Sequence, residues 1–179
     1  GKGLPAALLA SLIQGIFSAQ ALVDAPLADI IGNVNRNIAR RSTGSRFVTF
    51  FFGILDAATG RLAYINGGHE PPLFLRSGQS VSYLKATGLA VGALPDAPFR
   101  TDSINFNPGD SLVLYTDGVT DADDSMGEHF SKQRLVSLVS ETGDAAQTML
   151  GHVIAALNAH VGKASPADDV TLLIIRKTI

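Results

Sequence analysis

Gly109-Asp-Ser-Leu-Val-Leu-Tyr-Thr-Asp-Gly-Val-Thr-Asp121 is the stretch that decides the fold of this chain. Its centre, Ser111 to Thr116, is apolar and rich in Leu, Val and Tyr, which predicts a buried strand. Asp117 and Gly118 follow at once and have the chemistry of a turn. The stretch therefore predicts a strand that delivers a carboxylate to one rim of a sheet.

A second carboxylate stands beside a second apolar strand. Asp168 and Asp169 come directly before Val170 to Arg176. If this strand lies next to the one that precedes Asp117, the carboxylates converge and form a hard oxygen site suited to Mg²⁺ or Mn²⁺. The spacing does not show that the strands are neighbours. From the spacing alone, a simple turn at Asp117 and a surface carboxylate at Asp168 are the favoured interpretation.

The remaining periodicity places helices on either side of a block of strands. The order is helix, helix, strands, helix, helix, strand, which is not the alternation of a parallel sheet, so we predict an α+β fold with helices packed on antiparallel sheet. A meander is the simplest topology. The predicted helices span Leu4 to Val23, Leu27 to Arg40, Ser131 to Ser140 and Ala145 to Val161, and the predicted strands span Phe47 to Leu55, Arg61 to Asn66, Leu73 to Arg76, Val81 to Leu84, Phe99 to Phe106, Ser111 to Thr116 and Val170 to Arg176.

Composition favours a single globular domain covering residues 1–179. The chain is 46% apolar and 17% charged, with a formal charge of −2 and no cysteine. That balance argues against a nucleic-acid partner, and the lack of cysteine fits a reducing compartment, so we expect a cytoplasmic protein. The apolar run from Leu4 to Val23 is interrupted by polar residues, which favours a buried helix over a membrane span.

The second helix is predicted to be amphipathic. Ile31, Val34 and Ile38 repeat on one face, and Asn35 and Arg36 fall on the opposite, polar face. This pattern is typical of a surface helix whose polar side chains meet solvent.

Two further local patterns suggest chemistry. The twelve residues from Asp117 to Glu128 resemble a calcium loop, but Ala122 occupies the position that needs glycine. We therefore interpret Asp121, Asp123, Asp124 and Glu128 as a solvated acidic loop. Asp121 is the member nearest the predicted metal. In the Gly-Gly-His-Glu-Pro-Pro turn, His69 is a candidate phosphate contact, although a local structural role is the more common one for such a histidine.

Taken together, the motifs resemble the SpoIIE/RsbU-like branch of the metal-dependent type 2C (PPM-type) serine/threonine phosphatases. They occur in family order across nearly the whole chain: Gly1-Lys-Gly-Leu-Pro-Ala-Ala-Leu8, Phe47-Val-Thr49, Gly53-Ile-Leu-Asp-Ala-Ala-Thr-Gly60, Tyr64-Ile-Asn-Gly-Gly-His-Glu-Pro-Pro72, Thr87-Gly-Leu-Ala-Val-Gly92, Gly109 to Asp121, and Asp168-Asp-Val-Thr-Leu-Leu173.

This resemblance implies an α-β-β-α sandwich with a two-metal Mn²⁺ or Mg²⁺ centre. Asp117 and Asp168 match metal ligands, and Gly118 matches a tight turn that lets Asp117 reach the metal. Asp169 and Asp121 are candidates for the metal or its surroundings. The implied catalyst is a metal-activated water that attacks phosphoserine or phosphothreonine, with no protein nucleophile.

The chain departs from the family pattern in two places. Relatives carry an acidic ligand three residues before the first glycine of the Gly-Lys-Gly stretch, whereas this sequence begins at Gly1. We therefore expect a domain without its first strands, an incomplete two-metal centre, weak turnover and a sheet edge that a homodimer could cover. Glu70 stands where relatives commonly have Asn, which adds a negative charge near the path of the phosphate.

The resemblance also implies partners. The expected substrate is a phosphorylated STAS protein of the anti-anti-sigma type, and the expected input is an upstream sensor or receiver domain in the full-length protein. Neither nucleic acid nor a membrane span is expected for this segment. Glu70 and the missing ligands motivate an alternative, a degenerate domain that binds a partner or transmits a signal without catalysis.

Overall fold

The computed structural model describes residues 10–11, 13–16, 18–19, 25–41, 47–77, 80–141, 145–162 and 168–178. The helices in these ranges are α1, seen at residues 10–11, 13–16 and 18–19, and α2 (Leu27–Arg41), α3 (Asp117–Thr120), α4 (Lys132–Glu141) and α5 (Ala146–Val161). The strands are β1 (Phe50–Leu55), β2 (Arg61–Gly67), β3 (Leu73–Leu75), β4 (Ser82–Tyr83), β5 (Asp102–Asn105), β6 (Ser111–Tyr115) and β7 (Leu172–Arg176).

These elements match the predicted ones closely. Every predicted strand is present, most of them shorter than predicted, and α2, α4 and α5 lie within a residue or two of their predicted bounds. The first predicted helix is confirmed where it is described, and its remaining residues lie outside the described ranges. No described helix has the length and apolarity needed to cross a bilayer.

The chain divides into two compact units. Unit 1 consists of Gly1–Leu55, Leu62–His69 and Ala86–Ile104, and unit 2 consists of Asp56–Arg61, Glu70–Lys85 and Asn105–Ile179. One sheet has the strand order β1-β2-β5, and the other has the order β4-β3-β6-β7.

The predicted meander is wrong, because β2 and β3 follow each other in sequence but lie in different sheets. Pro71 and Pro72 stand between these strands. A proline has no N–H to donate to a ladder, so this segment does not extend the β2 pairing.

In unit 1, the apolar stripe of α2 forms a core with residues of β2 and of the segment that follows β4. The buried members are Leu27, Ile31, Val34, Ile38, Ile65, Val91 and Phe99.

One prediction about helix α2 is wrong: Asn35 does not face solvent but is fully buried. The Asn35 side-chain NH₂ donates to the carbonyl oxygens of Leu94 and Pro95, both at 2.8 Å, and its Oδ1 accepts from the N–H of Gly92 at 2.8 Å. Because these hydrogen bonds satisfy the polar atoms of Asn35, its side chain can be buried without an unpaired donor or acceptor.

In unit 2, β6 is a central strand and is buried along nearly its whole length. It pairs antiparallel with β3 on one side and with β7 on the other. Helix α5 packs against β7 and α4 against α5. The buried core residues are Leu73, Val113, Tyr115, Val119, Ala122, Phe130, Leu135, Val139, Met149, Val153 and Leu157. Helices on antiparallel sheet confirm the predicted α+β class.

Candidate metal centre

The end of β6 and the start of β7 lie side by side, as the metal-site prediction required. Tyr115 pairs with Leu172 in the antiparallel register. Beyond it, Thr116 N–H donates to the Thr171 carbonyl at 3.1 Å, and Thr171 N–H donates to Thr116 Oγ1 at 3.0 Å. The same hydroxyl donates to the carbonyl of Asp169 at 3.0 Å. The segment after β6 is thus bonded to the segment before β7.

Asp117 and Asp168 flank this junction, and both are exposed. Asp117 is the first residue of α3, and its Oδ1 accepts the N–H of Gly118 at 3.0 Å. Asp168 Oδ1 accepts the N–H of Asp169 at 2.9 Å. Each carboxylate is therefore oriented by the backbone next to it while remaining open to solvent.

Gly118 is what allows the two segments to approach so closely. A Cβ at this position would lie 2.9 Å from the carbonyl carbon of Asp169, closer still to its oxygen, and 3.5 Å from the carbonyl carbon of Asp168. The predicted tight turn is wrong, since Gly118 is the second residue of helix α3 and has no positive φ. Glycine is needed here for space rather than for backbone freedom.

Asp121 follows α3 directly and stays near Asp117 through the backbone. Its N–H donates to the Asp117 carbonyl at 2.8 Å, and its Oδ1 accepts from the Thr120 hydroxyl at 3.1 Å. The Thr120 hydroxyl also contacts the Asp117 carbonyl, at 3.3 Å. Asp121 is thus positioned one helical turn from the candidate ligand.

Residues 121–130, which we call the acidic loop, form an ordered turn. The Asp124 carboxylate accepts the N–H groups of Glu128 at 2.9 Å and of Met126 at 2.8 Å, and these bonds hold the pKa of Asp124 below its usual value. Asp123 lies 2.8 Å from His129 Nδ1. These acids therefore have local partners within the loop.

His69 and Glu70 take different roles in the Gly-Gly-His-Glu-Pro-Pro turn. The N–H of His69, in unit 1, donates to Asn66 Oδ1 at 2.9 Å. Glu70, in unit 2, lies 2.8 Å from Lys132 Nζ at the start of α4. Burial first, and then the charges of Glu70 and Tyr83, raise the pKa of the Tyr115 hydroxyl. The negative charge of Glu70 is thus paired with the positive charge of Lys132.

The donor set at the junction suits a hard divalent cation. Asp117 and Asp168 supply carboxylate oxygens, the ligand type that Mg²⁺ and Mn²⁺ prefer. Within the described ranges, no group of three or more His, Cys, Asp or Glu side chains is arranged to hold a metal ion. The side chains there fit a cation held by few protein ligands and otherwise by water.

Sequence reasoning missed Thr116 and Thr171, which join the two segments. The signal that could have identified Thr116 is a hydroxyl residue at the end of an apolar strand, immediately before an acid. Nothing local pointed to Thr171, because its role depends on a partner strand more than fifty residues away in sequence.

Comparison with known proteins identifies the family. The family model described as Stage II sporulation protein E (SpoIIE) matches residues 1–178. The chain belongs to the SpoIIE family. The resemblance to the SpoIIE/RsbU-like branch that the sequence motifs indicate is thereby confirmed.

Two curated relatives illustrate the match. Protein IcfG of Synechocystis is 40% identical over 129 residues, which is 72% of this chain and 20% of IcfG. Phosphoserine phosphatase RsbU of Bacillus subtilis is 27% identical over 181 residues, which is all of this chain and 53% of RsbU. The chain thus spans about half of one relative and a fifth of the other.

Solved structures show the same fold. The SiaA-PP2C domain of Pseudomonas aeruginosa matches with a TM-score of 0.81 at 22% identity, over 98% of this chain and 71% of that one. RsbX in complex with magnesium matches with a TM-score of 0.68 at 15% identity, over 97% of this chain and 75% of that one. The predicted PP2C-like α+β fold is confirmed.

Proposed function

We propose that residues 1–179 act as one metal-dependent protein serine/threonine phosphatase domain. The observation that carries the proposal is the bonding of the Asp117 segment to the Asp168 segment across the ends of β6 and β7. Two exposed carboxylates at one such junction would supply part of the oxygen ligands of a metal centre that hydrolyses phosphate esters.

Asp117 and Asp168 would hold the cation, which fits Mn²⁺ or Mg²⁺. Gly118 keeps the two segments close, and Asp121 and Asp169 lie beside them to orient water or a further ion. When bound, the cation supplies an activated water and positive charge for the transferring phosphoryl group.

The substrate we propose is phosphoserine or phosphothreonine on a bacterial signalling protein of the STAS type. Support comes from the family match and from RsbU, which is named a phosphoserine phosphatase. An upstream sensor or receiver domain would control the domain in the full-length protein. The pairing of Glu70 with Lys132 removes one reason to favour a non-catalytic domain.

The test is Mn²⁺-dependent release of phosphate from a phosphoserine peptide and from a small aryl phosphate. The 179-residue chain and a version extended upstream are assayed together with Asp117→Asn and Asp168→Asn, and each substitution is expected to lower turnover by about a hundredfold or more. Asp96→Asn, which changes an exposed acid of unit 1, serves as the matched control. Near-native turnover in either site variant would refute the site assignment.

Silence of both versions on either substrate, with an intact circular dichroism spectrum, would favour the non-catalytic alternative. A phosphorylated STAS protein is then the decisive substrate, since a phosphatase that requires its partner releases phosphate only from that protein.

A further inference from the structure

The imidazole of His160, in the last turn of α5, reaches the acidic loop. Its Nε2 lies 2.9 Å from the carbonyl oxygen of Glu128 and 3.2 Å from that of Ala122. Carbonyl oxygens only accept hydrogen bonds, so this nitrogen carries the proton. One side chain of α5 thus bonds to both strands of the loop.

The two carbonyl groups are also the acceptors of the loop's own cross-links. Phe130 N–H donates to the Ala122 carbonyl at 2.8 Å, and Asp124 N–H donates to the Glu128 carbonyl at 3.0 Å. His160 Nε2 therefore donates to the same two carbonyl oxygens that accept the hydrogen bonds across the loop.

The ring itself is held from two other sides. Nδ1 lies 3.1 Å from an Nη atom of Arg134, and because a guanidinium only donates, Nδ1 accepts this bond. The ring also meets buried Phe130 edge to face, with 5.5 Å between the centroids. The Arg134 guanidinium lies 5.1 Å from the centroid of the same phenyl ring. Nδ1, Nε2 and the ring edge thus each have a partner.

We propose that His160 is a positioning residue, which ties the acidic loop to α5 and so fixes Asp121 beside Asp117. The link is short. His160 bonds to the carbonyl oxygen of Ala122, Asp121 directly precedes Ala122 in the chain, and the N–H of Asp121 donates to the carbonyl of Asp117. The catalytic part of this inference rests on the proposed phosphatase function, whereas the tie between loop and helix does not.

Three variants separate the hydrogen bond from the packing. His160→Phe keeps a ring against Phe130 and removes the donor. His160→Gln keeps an N–H donor and removes the ring. His152→Ala, two turns earlier on α5 and exposed, is the matched control.

Amide hydrogen exchange at Asp124 and Phe130 measures the loop without reference to activity. Loss of a hydrogen bond of ordinary strength predicts exchange at these two amides roughly two- to tenfold faster in His160→Phe, with rescue in His160→Gln. Unchanged exchange in His160→Phe, or equal effects in His160→Gln and His160→Phe, would overturn the proposal.

Kinetics on the small aryl phosphate with Mn²⁺ measure the consequence for the site. We expect kcat to fall by a similar factor in His160→Phe with KM little changed, and to recover in His160→Gln. Faster exchange with an unchanged kcat would overturn the positioning role. If the unmodified chain and its upstream extension release no phosphate, the proposed function fails, and amide exchange alone then decides whether His160 holds the loop.

Discussion

Gly118→Ala is the sharpest test of how the two acidic segments are brought together. The new methyl group would lie 2.9 Å from the Asp169 carbonyl carbon, whereas ordinary contacts begin at 3.4 Å, so the segments must separate by at least about 0.5 Å. The new methyl group would meet the carbonyl carbon and oxygen of Asp169. These are backbone atoms, which cannot rotate away as a side chain would. Because Gly118 has a helical conformation, alanine itself is not disfavoured there.

Overpacking of this kind costs about 1–3 kcal/mol, so the free energy of unfolding should fall by that amount in urea. Mn²⁺ affinity, measured by the electron paramagnetic resonance signal of the free ion, should fall about tenfold or more, because a half-ångström separation disturbs the geometry of shared ligands. Gly151→Ala is the matched control, since a Cβ there meets nothing within 4 Å and alanine should raise helix stability by about 0.5–1 kcal/mol. An unchanged urea midpoint and an unchanged Mn²⁺ affinity in Gly118→Ala would refute the close-approach argument.

Other expected outcomes concern stability and titration. Asn35→Ala removes three hydrogen bonds of a fully buried amide, one of them buried and two partly buried, and should lower the free energy of unfolding by about 2–4 kcal/mol in urea, whereas exposed Asn37→Ala should change it by less than about 0.5 kcal/mol; equal effects would contradict the network around Asn35. Burial, then the charge and hydrogen bond of Asp102, raise the pKa of Tyr64 from its usual 10.0 to about 12. The unfolded chain therefore ionises first, and stability should fall as pH rises from about 10 to about 12; Asp102→Asn should shift this tyrosine's absorbance transition to lower pH, and an unmoved transition would count against the contact. Glu70→Gln should cost less than about 1 kcal/mol in thermal unfolding, because its ion pair is partly exposed; a loss of several kcal/mol would show a larger role.

The sequence predicted the elements well because their signals are local. The apolar run of β6 and the apolar stripe of α2 each lie within the element that they predict, so a short stretch of sequence is enough to recognise it. Pairing is a different matter, since the contact between Thr116 and Asp169 joins residues 53 positions apart and no local pattern encodes it.

The errors have the same origin. Asn35 has the residue type and helical position of a solvent-facing side chain, and only the carbonyl groups of a distant loop make its burial favourable. Gly118 was assigned to a turn because Asp-Gly commonly forms one, whereas its real constraint is the backbone of Asp169. The role of His160 has no local sequence signal, because its partners Ala122 and Glu128 lie 38 and 32 positions away along the chain.

The pairing of β6 with β7 also sets the order in which the protein becomes functional during its synthesis. β6 leaves the ribosome first, followed by α4 and α5, and the Asp117 segment has no partner until β7 arrives. Non-local pairing of this kind is slow compared with helix formation. A nascent chain therefore passes through a stage in which most of its helices exist but the candidate centre does not, and that centre cannot form before translation has passed Arg176.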